Sequence, residues 1–222
     1  MPAYFIRMQA IIQTTIHYVK SALAGAEAGH DWFHIERVFK TALTLNAIEK
    51  GDELVVSLAA LLHDIADPKF HGGDEAIGPA TAAAFLSAEK VHPAVIDHVV
   101  QIIQNMSFKN SFGEHLFNSK ELQIVQDADR LDAMGAIGIA RAFTYGGFKN
   151  RVLYDPAIKS VENHSKESYK NTTAPTLNHF YEKLLKLKDL MNTEAAKAMA
   201  AGRHQFMLHF LDQFYQEWEG IR

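Results

Sequence analysis

Apolar residues recur every three or four positions along nearly the whole chain, which is the spacing that places them on one face of an α-helix. Two clear series are Phe5, Met8, Ile12, Ile16 and Val19, and Leu177, Phe180, Leu184, Leu187 and Met191. No stretch shows the apolar and polar alternation between turn signals that several β-strands would require. The pattern therefore predicts an all-α protein.

Turn signals rich in glycine and proline divide the chain into about seven to nine helices. The least periodic part is 145–175, which reads YGGFKNRVLYDPAIKSVENHSKESYKNTTAP. Irregular segments of that length are usually functional or mobile, and this one is a candidate lid. Two C-terminal helices follow, at about 176–191 and 193–218. We expect a single domain over 1–222, with its core at about 20–145.

The amino-acid composition limits the kinds of metal site and of binding partner that the protein can have. The chain has 222 residues, 48% of them hydrophobic, which is enough for a full core. It has no cysteine, so a bound metal must use imidazole, carboxylate or carbonyl ligands. The formal net charge of −4 argues against a nucleic-acid polymer as partner. Polar residues interrupt the apolar N-terminal series, so we expect neither a signal peptide nor a membrane span but a soluble cytoplasmic protein.

The helix predicted at about 52–66 reads DELVVSLAALLHDIA and is apolar nearly all the way round, as in a core helix. His63 and Asp64 therefore lie where polar groups are costly. Near the helix C-terminus the macrodipole also disfavours a carboxylate that has no cation beside it. Two interpretations remain open, a buried His–Asp hydrogen bond and a pair of metal ligands.

A second apolar helix is predicted at about 120–143, and three acids and two arginines interrupt it: Asp127, Asp129, Asp132, Arg130 and Arg141. Two interpretations are open. In one, the arginines pair with the acids on a partly exposed face; in the other, one acid binds a metal and its neighbours orient it. Gly135 and Gly138 are costly inside a helix and predict the close approach of another helix.

A third helix is predicted from the segment GHDWFHIERVFK. Asp31 is the expected N-cap of this helix. His34 and Arg37 lie one turn apart, so His34 is a candidate metal ligand and Arg37 a candidate contact for a phosphate, which guanidinium binds well. His30 and Asp31 form a second His-Asp dipeptide before the helix, for which we expect at most a supporting role behind the ligands.

The order of His34, then His63-Asp64, then the aspartate of ADRL resembles the HD-domain superfamily of metal-dependent phosphohydrolases. The segments GHDWFH, LLHDIADPKF and QDADRLDAMGAIGIARAFTYGGF most closely resemble its YedJ/YpgQ-like subgroup, and the likeness extends through LNHFYEKLLKLKDLMN. This resemblance implies an all-helical HD-type domain and a divalent metal bound by His, His, Asp and Asp. For the subgroup it implies manganese-dependent nucleotide pyrophosphohydrolase activity.

The resemblance carries the four ligands onto His34, His63, Asp64 and Asp129, with Asp127 as the rival for the last place. Two residues along a helix turn by about 200°, so both aspartates do not easily face one ion. We expect one divalent ion, Mn first, with Mg, Co, Ni, Fe or Zn as alternatives. Some HD proteins carry two further histidines that bind a second metal, and the candidates here are His92 and His98. His92 precedes Pro93 in a predicted turn, and His98 lies in a predicted helix with no matching histidine nearby in the sequence, so we favour one metal.

Asp67 follows Asp64 by about one helical turn and is the candidate to orient or deprotonate the attacking water. Its other interpretation is a turn residue before Pro68. The candidate substrate contacts are mainly basic: Arg37, Lys69, Arg130, Asp132, Arg141 and Lys149. Three aromatic residues of the irregular segment either stack on a base or anchor the segment to the core: Tyr145, Phe148 and Tyr154.

The motifs of P-loop proteins, serine hydrolases, cysteine enzymes and HExxH zincins are missing from the sequence. The favoured function is hydrolysis of nucleoside triphosphates to monophosphate and pyrophosphate. The alternatives are an HD phosphodiesterase or nucleotidase for other small phosphorylated substrates, and a non-catalytic nucleotide-binding module. We expect a small phosphorylated partner, no membrane partner, and leave a homodimer open.

Overall fold

A computed structural model of the chain describes residues 3–25, 31–66, 74–106, 117–161 and 174–222. Over these residues the protein is all-α and contains no strand, which confirms the predicted fold class. None of the described helices is long and apolar enough to cross a membrane. The chain forms two compact units, Met1–Ala128 and Asp129–Arg222, and the division between them falls inside one helix.

The first unit is built around a short apolar helix. Its helices are α1 (Ala3–Ala22), α2 (Trp32–Glu49), α3 (Glu53–Leu62), α4 (Ile77–Ala88), α5 (Pro93–Asn105) and the larger part of α6 (Lys120–Asp132). Residues 55–62 of α3 are all buried, and α3 packs against α1, α2 and α5. Burying a Leu or Val side chain stabilises the fold by about 1.5–3 kcal/mol. This explains why a helix apolar on every side lies at the centre of the unit.

The turn between α2 and α3 is closed by local hydrogen bonds. Helix α2 ends at Glu49, and its C-cap is Lys50, whose φ of 61° is left-handed and whose N–H donates to the Asn46 carbonyl. The Gly51 N–H donates to the Asn46 side-chain oxygen at 2.8 Å. Asp52 then caps α3 by accepting from the amides of Leu54 and Val55. Caps of this kind satisfy N–H groups that a helix start leaves without partners, so the turn fixes where α3 begins.

The second unit begins with the last turn of α6. It continues with α7 (Gly135–Phe148), α8 (Asn178–Glu182), a 3₁₀ helix (Leu184–Leu190) and α9 (Glu194–Trp218). Helix α9 packs against α7 and the 3₁₀ helix. Its N-cap is Thr193, whose hydroxyl accepts from the Ala196 N–H at 3.3 Å.

The prediction of a single helix at about 120–143 is wrong, because the structure has two helices there. Helix α6 ends at Asp132, and α7 begins at Gly135, which has a left-handed φ of +67°. A Cβ on Gly138 would collide with the backbone carbonyl of Ala133. The two glycines therefore form the break between α6 and α7, because only glycine fits both the left-handed conformation and the crowded first turn.

The prediction for the C-terminal part also needs correction. The helix expected at about 176–191 is interrupted at Lys183, where φ is −139° and ψ is −58°, and it continues as the 3₁₀ helix. The irregular segment begins later than predicted, because α7 extends to Phe148. Residues 149–161 contain no helix, as expected. Within this stretch the Tyr154 ring contacts Phe214, Tyr215 and Trp218 of α9 with centroids 5.0–6.0 Å apart, so it anchors the segment.

Candidate metal centre

His34 is placed by the start of α2. As predicted, Asp31 is the N-cap, and its side chain accepts from the His34 N–H at 3.0 Å. The imidazole of His34 lies in the first turn and is buried, with 1% of the residue exposed. An N-cap fixes the direction of the first helical turn, so Asp31 orients His34 through the backbone.

His63 lies at the C-cap of α3, where its ring is oriented by the helix itself. Its Nδ1 is 2.9 Å from the carbonyl oxygen of Ala60. A carbonyl oxygen only accepts, so Nδ1 carries a proton, and in the neutral form of the ring the lone pair is at Nε2. Histidines that bind metals commonly donate their other ring N–H to a backbone carbonyl in this way.

Asp64 lies beside both imidazoles. Its Oδ2 is 3.7 Å from Nε2 of His34 and 3.8 Å from Nε2 of His63. The two rings are 5.4 Å apart and inclined at 70°. Both oxygen-to-nitrogen separations exceed hydrogen-bond length, which argues against the His–Asp hydrogen bond that the sequence left open. Asp64 therefore places a carboxylate near both imidazoles, although it is not a member of the converging group described next.

Helix α6 supplies the remaining candidate. One ligand atom each from His34, His63 and Asp129 lies within 4.8 Å of the others, and this is the metal-type group found among the described residues. Asp127 is completely buried, whereas Asp129 is partly exposed. The two aspartates thus differ in environment, as expected for positions about 200° apart around a helix.

Several predicted substrate contacts have a structural partner. Nη1 of Arg141 is 2.6 Å from Oδ2 of Asp132, which realises the acid–arginine pairing that was one interpretation of this segment. Nη1 of Arg130 donates to the Leu190 carbonyl at 2.6 Å. The ammonium of Lys149 lies over the Phe148 ring, 4.9 Å from its centroid.

The other predicted residues divide into two groups. Arg37 lies on α2 one turn beyond His34 and is partly exposed. Its proximity to His34 along the helix is as predicted. Asp67, Lys69 and His30 lie outside the described residues.

His92 and His98 have structural roles in the first unit. Nδ1 of His92 caps α5 by accepting from the Ala94 N–H at 3.3 Å. Nε2 of His98 is 3.0 Å from the Ser119 hydroxyl and 3.5 Å from a Glu121 carboxylate oxygen. Both histidines therefore have local partners, and a single metal stays a prediction.

One contribution to the site, and one buried histidine of the second unit, were missed in the sequence. The Ala60 carbonyl, which orients His63, could have been inferred from its position three residues earlier on the helix. His179 could not, because its environment depends on tertiary packing. Burial, together with the like charges of Lys183 and Arg151, lowers the pKa of His179 to about 3.

Comparison with known proteins gives consistent matches over most of the chain. The HD domain family model matches residues 32–134. YpgQ of Bacillus subtilis (strain 168) is 38% identical over 216 residues, which cover 92% of each chain. The crystal structure of an HD-superfamily hydrolase from Bacillus thuringiensis has 45% identity and a TM-score of 0.76, covering 96% of this chain and 98% of its own. The crystal structure of Bacillus subtilis YpgQ in complex with ADP has a TM-score of 0.73 and 32% identity in that superposition, covering 95% and 96%.

Proposed function

The chain belongs to the HD-domain family of hydrolases, and we propose that it is a manganese-dependent pyrophosphohydrolase that converts nucleoside triphosphates to monophosphates and pyrophosphate. The observation that carries this proposal is the convergence of ligand atoms from His34, His63 and Asp129 within 4.8 Å. The subgroup resemblance supports the choice of reaction. The ADP in the YpgQ structure supports a nucleotide as substrate.

The donor set fits a divalent first-row metal. Two imidazoles and carboxylate oxygens suit Mn and the other divalent candidates, whereas a site for a thiophilic ion would use cysteine, which the chain lacks. The Nδ1–H of His63 is already held by Ala60, so Nε2 is the atom directed to an ion. We assign His34, His63, Asp64 and Asp129 as ligands of one metal, and prefer Asp129 to its rival Asp127 because the converging group of ligand atoms contains Asp129.

The ion would supply Lewis acidity, lowering the pKa of water and neutralising charge that develops on phosphoryl oxygens. The chain's own residues would hold the reacting groups. The buried imidazoles of His34 and His63 resist reorientation, because the N-cap of Asp31 fixes the turn that carries His34 and the Ala60 carbonyl fixes the ring of His63. Such preorganisation spares the cost of arranging the ligands during the reaction.

In the proposed reaction, the oxygen of water bonds to the α-phosphorus and the bond from that phosphorus to the bridging oxygen breaks. Pyrophosphate leaves with the bridging oxygen, and the proton lost by water passes to a base, for which Asp67 remains the prediction. Arg37 is our proposed phosphate contact, because it follows His34 by one turn of the same helix and carries a planar guanidinium. No covalent intermediate is required.

The test uses metal-stripped protein with nucleoside triphosphates and with Mn, Mg, Co, Ni, Fe or Zn returned singly. The expected products are monophosphate and pyrophosphate in equal amounts. In ¹⁸O-labelled water the label should enter the monophosphate, because attack is at the α-phosphorus. Orthophosphate and diphosphate as products would contradict the proposed reaction while leaving a phosphohydrolase in place.

Two variants connect the activity to the proposed site. Asp64→Ala should abolish most of the turnover and reduce bound metal. His17→Ala is the matched control, because His17 is an exposed histidine whose Nδ1 lies 2.8 Å from the Gln13 carbonyl within α1. Full activity and unchanged metal content in Asp64→Ala would exclude the assigned site. Metal binding without turnover of triphosphates, monophosphates or cyclic nucleotides would favour a binding module.

A further inference from the structure

The last turn of α6, residues 129–132, is held by an arginine from α9. Nη1 of Arg203 donates to the carbonyl oxygen of Leu131 at 2.5 Å. The same carbonyl accepts the Met134 N–H at 3.0 Å, so both of its lone pairs are used. Arg203 therefore caps a carbonyl at the C-terminus of α6, where the helix dipole also favours a positive charge.

The same turn carries a buried acid that two arginines neutralise. Asp132 is only 4% exposed, and its Oδ2 accepts from Nη1 of Arg141 at 2.6 Å. Asp132 also attracts Arg203 electrostatically. A buried carboxylate without a compensating positive charge is strongly destabilising. Arg203 and Arg141 together therefore fix the orientation of this turn.

The break after α6 is shaped to the stem of Arg203. Gly135 has a left-handed φ of +67°, and a Cβ built on it would lie 3.1 Å from Cγ and 3.2 Å from Cβ of Arg203. The methylene stem of the arginine thus packs directly against the glycine backbone. This contact limits the directions that the guanidinium can take.

We propose that Arg203 is a positioning residue for Asp129. By holding the Leu131 carbonyl and attracting the Asp132 carboxylate, it fixes the direction in which the last turn of α6 presents the carboxylate of Asp129. Residues three apart on a helix share a face, so a tilt that frees Asp132 also displaces Asp129. This inference rests on the proposed function, in which Asp129 is a metal ligand.

The experiment is a double-mutant cycle on manganese affinity, measured by titration calorimetry of the metal-free protein. Arg203→Met keeps the stem against Gly135 and removes the guanidinium. It should weaken Mn binding by about tenfold, within the range typical of residues that orient metal ligands. Asp129→Asn should weaken binding further, and the double variant should bind no more weakly than Asp129→Asn alone. Arg203→Lys, which keeps the charge and one donor, should recover part of the loss.

The control is Arg7→Met, which removes another arginine-to-carbonyl bond, from Nη2 of Arg7 to Lys90 at 3.2 Å. It should leave Mn affinity unchanged. Additive losses in the cycle, with Asp129→Asn impaired, would overturn the positioning role alone. An Asp129→Asn variant that binds Mn like wild type would overturn the proposed site and this inference with it. If Arg203→Met does not fold, as judged by thermal unfolding of the metal-free protein, the cycle with Arg203→Lys decides in the same way.

Discussion

The Nδ1–H of His63 donates to the carbonyl oxygen of Ala60 at 2.9 Å, within the same turn of chain. This bond selects the tautomer in which Nε2 carries the lone pair. The orientation of the ring is therefore set by a residue of the same helix, α3. The ring is directed to the same space as His34 and Asp64.

Replacing His63 by asparagine separates the two functions of the ring. Asparagine retains an N–H donor near Nδ1 but has no atom in place of Nε2. We expect Mn affinity to fall by at least about tenfold while the thermal unfolding temperature of the metal-free protein changes little. Calorimetric titration and thermal unfolding measure the two effects. Unchanged Mn affinity would show that Nε2 is not a ligand.

The pKa of His179 predicts a pH dependence of stability. Burial and the charges of Lys183 and Arg151 lower this pKa from 6.5 to about 3. Between these values the unfolded chain binds a proton that the folded protein does not, so the free energy of unfolding falls as the pH falls. The change is roughly 1 kcal/mol per pH unit. Urea unfolding from neutral pH down to pH 5 should show this slope, and His179→Gln should reduce it. An identical slope in the variant would contradict the assignment.

Glu121 joins α6 to the turn before α3 and should stabilise the fold only when ionised. Burial raises the pKa of Glu121, but hydrogen bonds from the Asp52 N–H and its own N–H, the charge of His98 and the Ser119 hydroxyl outweigh it and hold the pKa below 4.5. The contribution is therefore fully present above pH 4.5 and is lost as the pH falls through the folded-state pKa.

Replacing Glu121 by glutamine should consequently lower the free energy of unfolding at neutral pH by about 1–2 kcal/mol. The difference between the variant and wild type should shrink as the solution is acidified. Urea unfolding at neutral and at acidic pH tests both statements. A difference that grows on acidification would mean that the carboxylate is not the stabilising form.

Substitutions at two glycines test the crowding at the break between α6 and α7. Gly138→Ala should destabilise the protein by more than about 1 kcal/mol, because the new Cβ would collide with the Ala133 carbonyl. Gly202→Ala is the matched control, since no atom lies within 4 Å of the Cβ at that helical position. The control should stabilise α9 by up to about 1 kcal/mol. Equal effects of the two substitutions in chemical denaturation would contradict the crowding at Gly138.

The all-α fold and the membership of the HD-domain family could be predicted from the sequence. Apolar spacing gave the helices, and polar residues in two apolar helices identified His63, Asp64 and the acids of α6. The preference for Asp129 over Asp127 came from the resemblance of ADRL to the family's segment, and the turn angle of a helix indicated only that one of the two faces the ion. The fold class and the family are confirmed, whereas the ligand assignments stay predictions that the convergence of His34, His63 and Asp129 supports.

The break after Asp132 was not predicted, because the apolar spacing continues through Gly135 into α7 and conceals the left-handed residue. The contacts of Arg203 and His179 could not be predicted from the sequence either. An arginine on a long amphipathic helix looks solvated in the sequence, and only tertiary packing places it at the Leu131 carbonyl. The low pKa of His179 likewise depends on neighbours brought together by the fold.

The most direct test of the proposed metal centre is the number and affinity of manganese ions bound by the metal-stripped protein, followed by electron paramagnetic resonance. We predict one ion per chain, and a loss of affinity of at least about tenfold in His34→Ala, His63→Asn and Asp129→Asn, with His17→Ala unchanged. Binding as tight as wild type in the Asp129 and His63 variants would contradict the proposed metal centre.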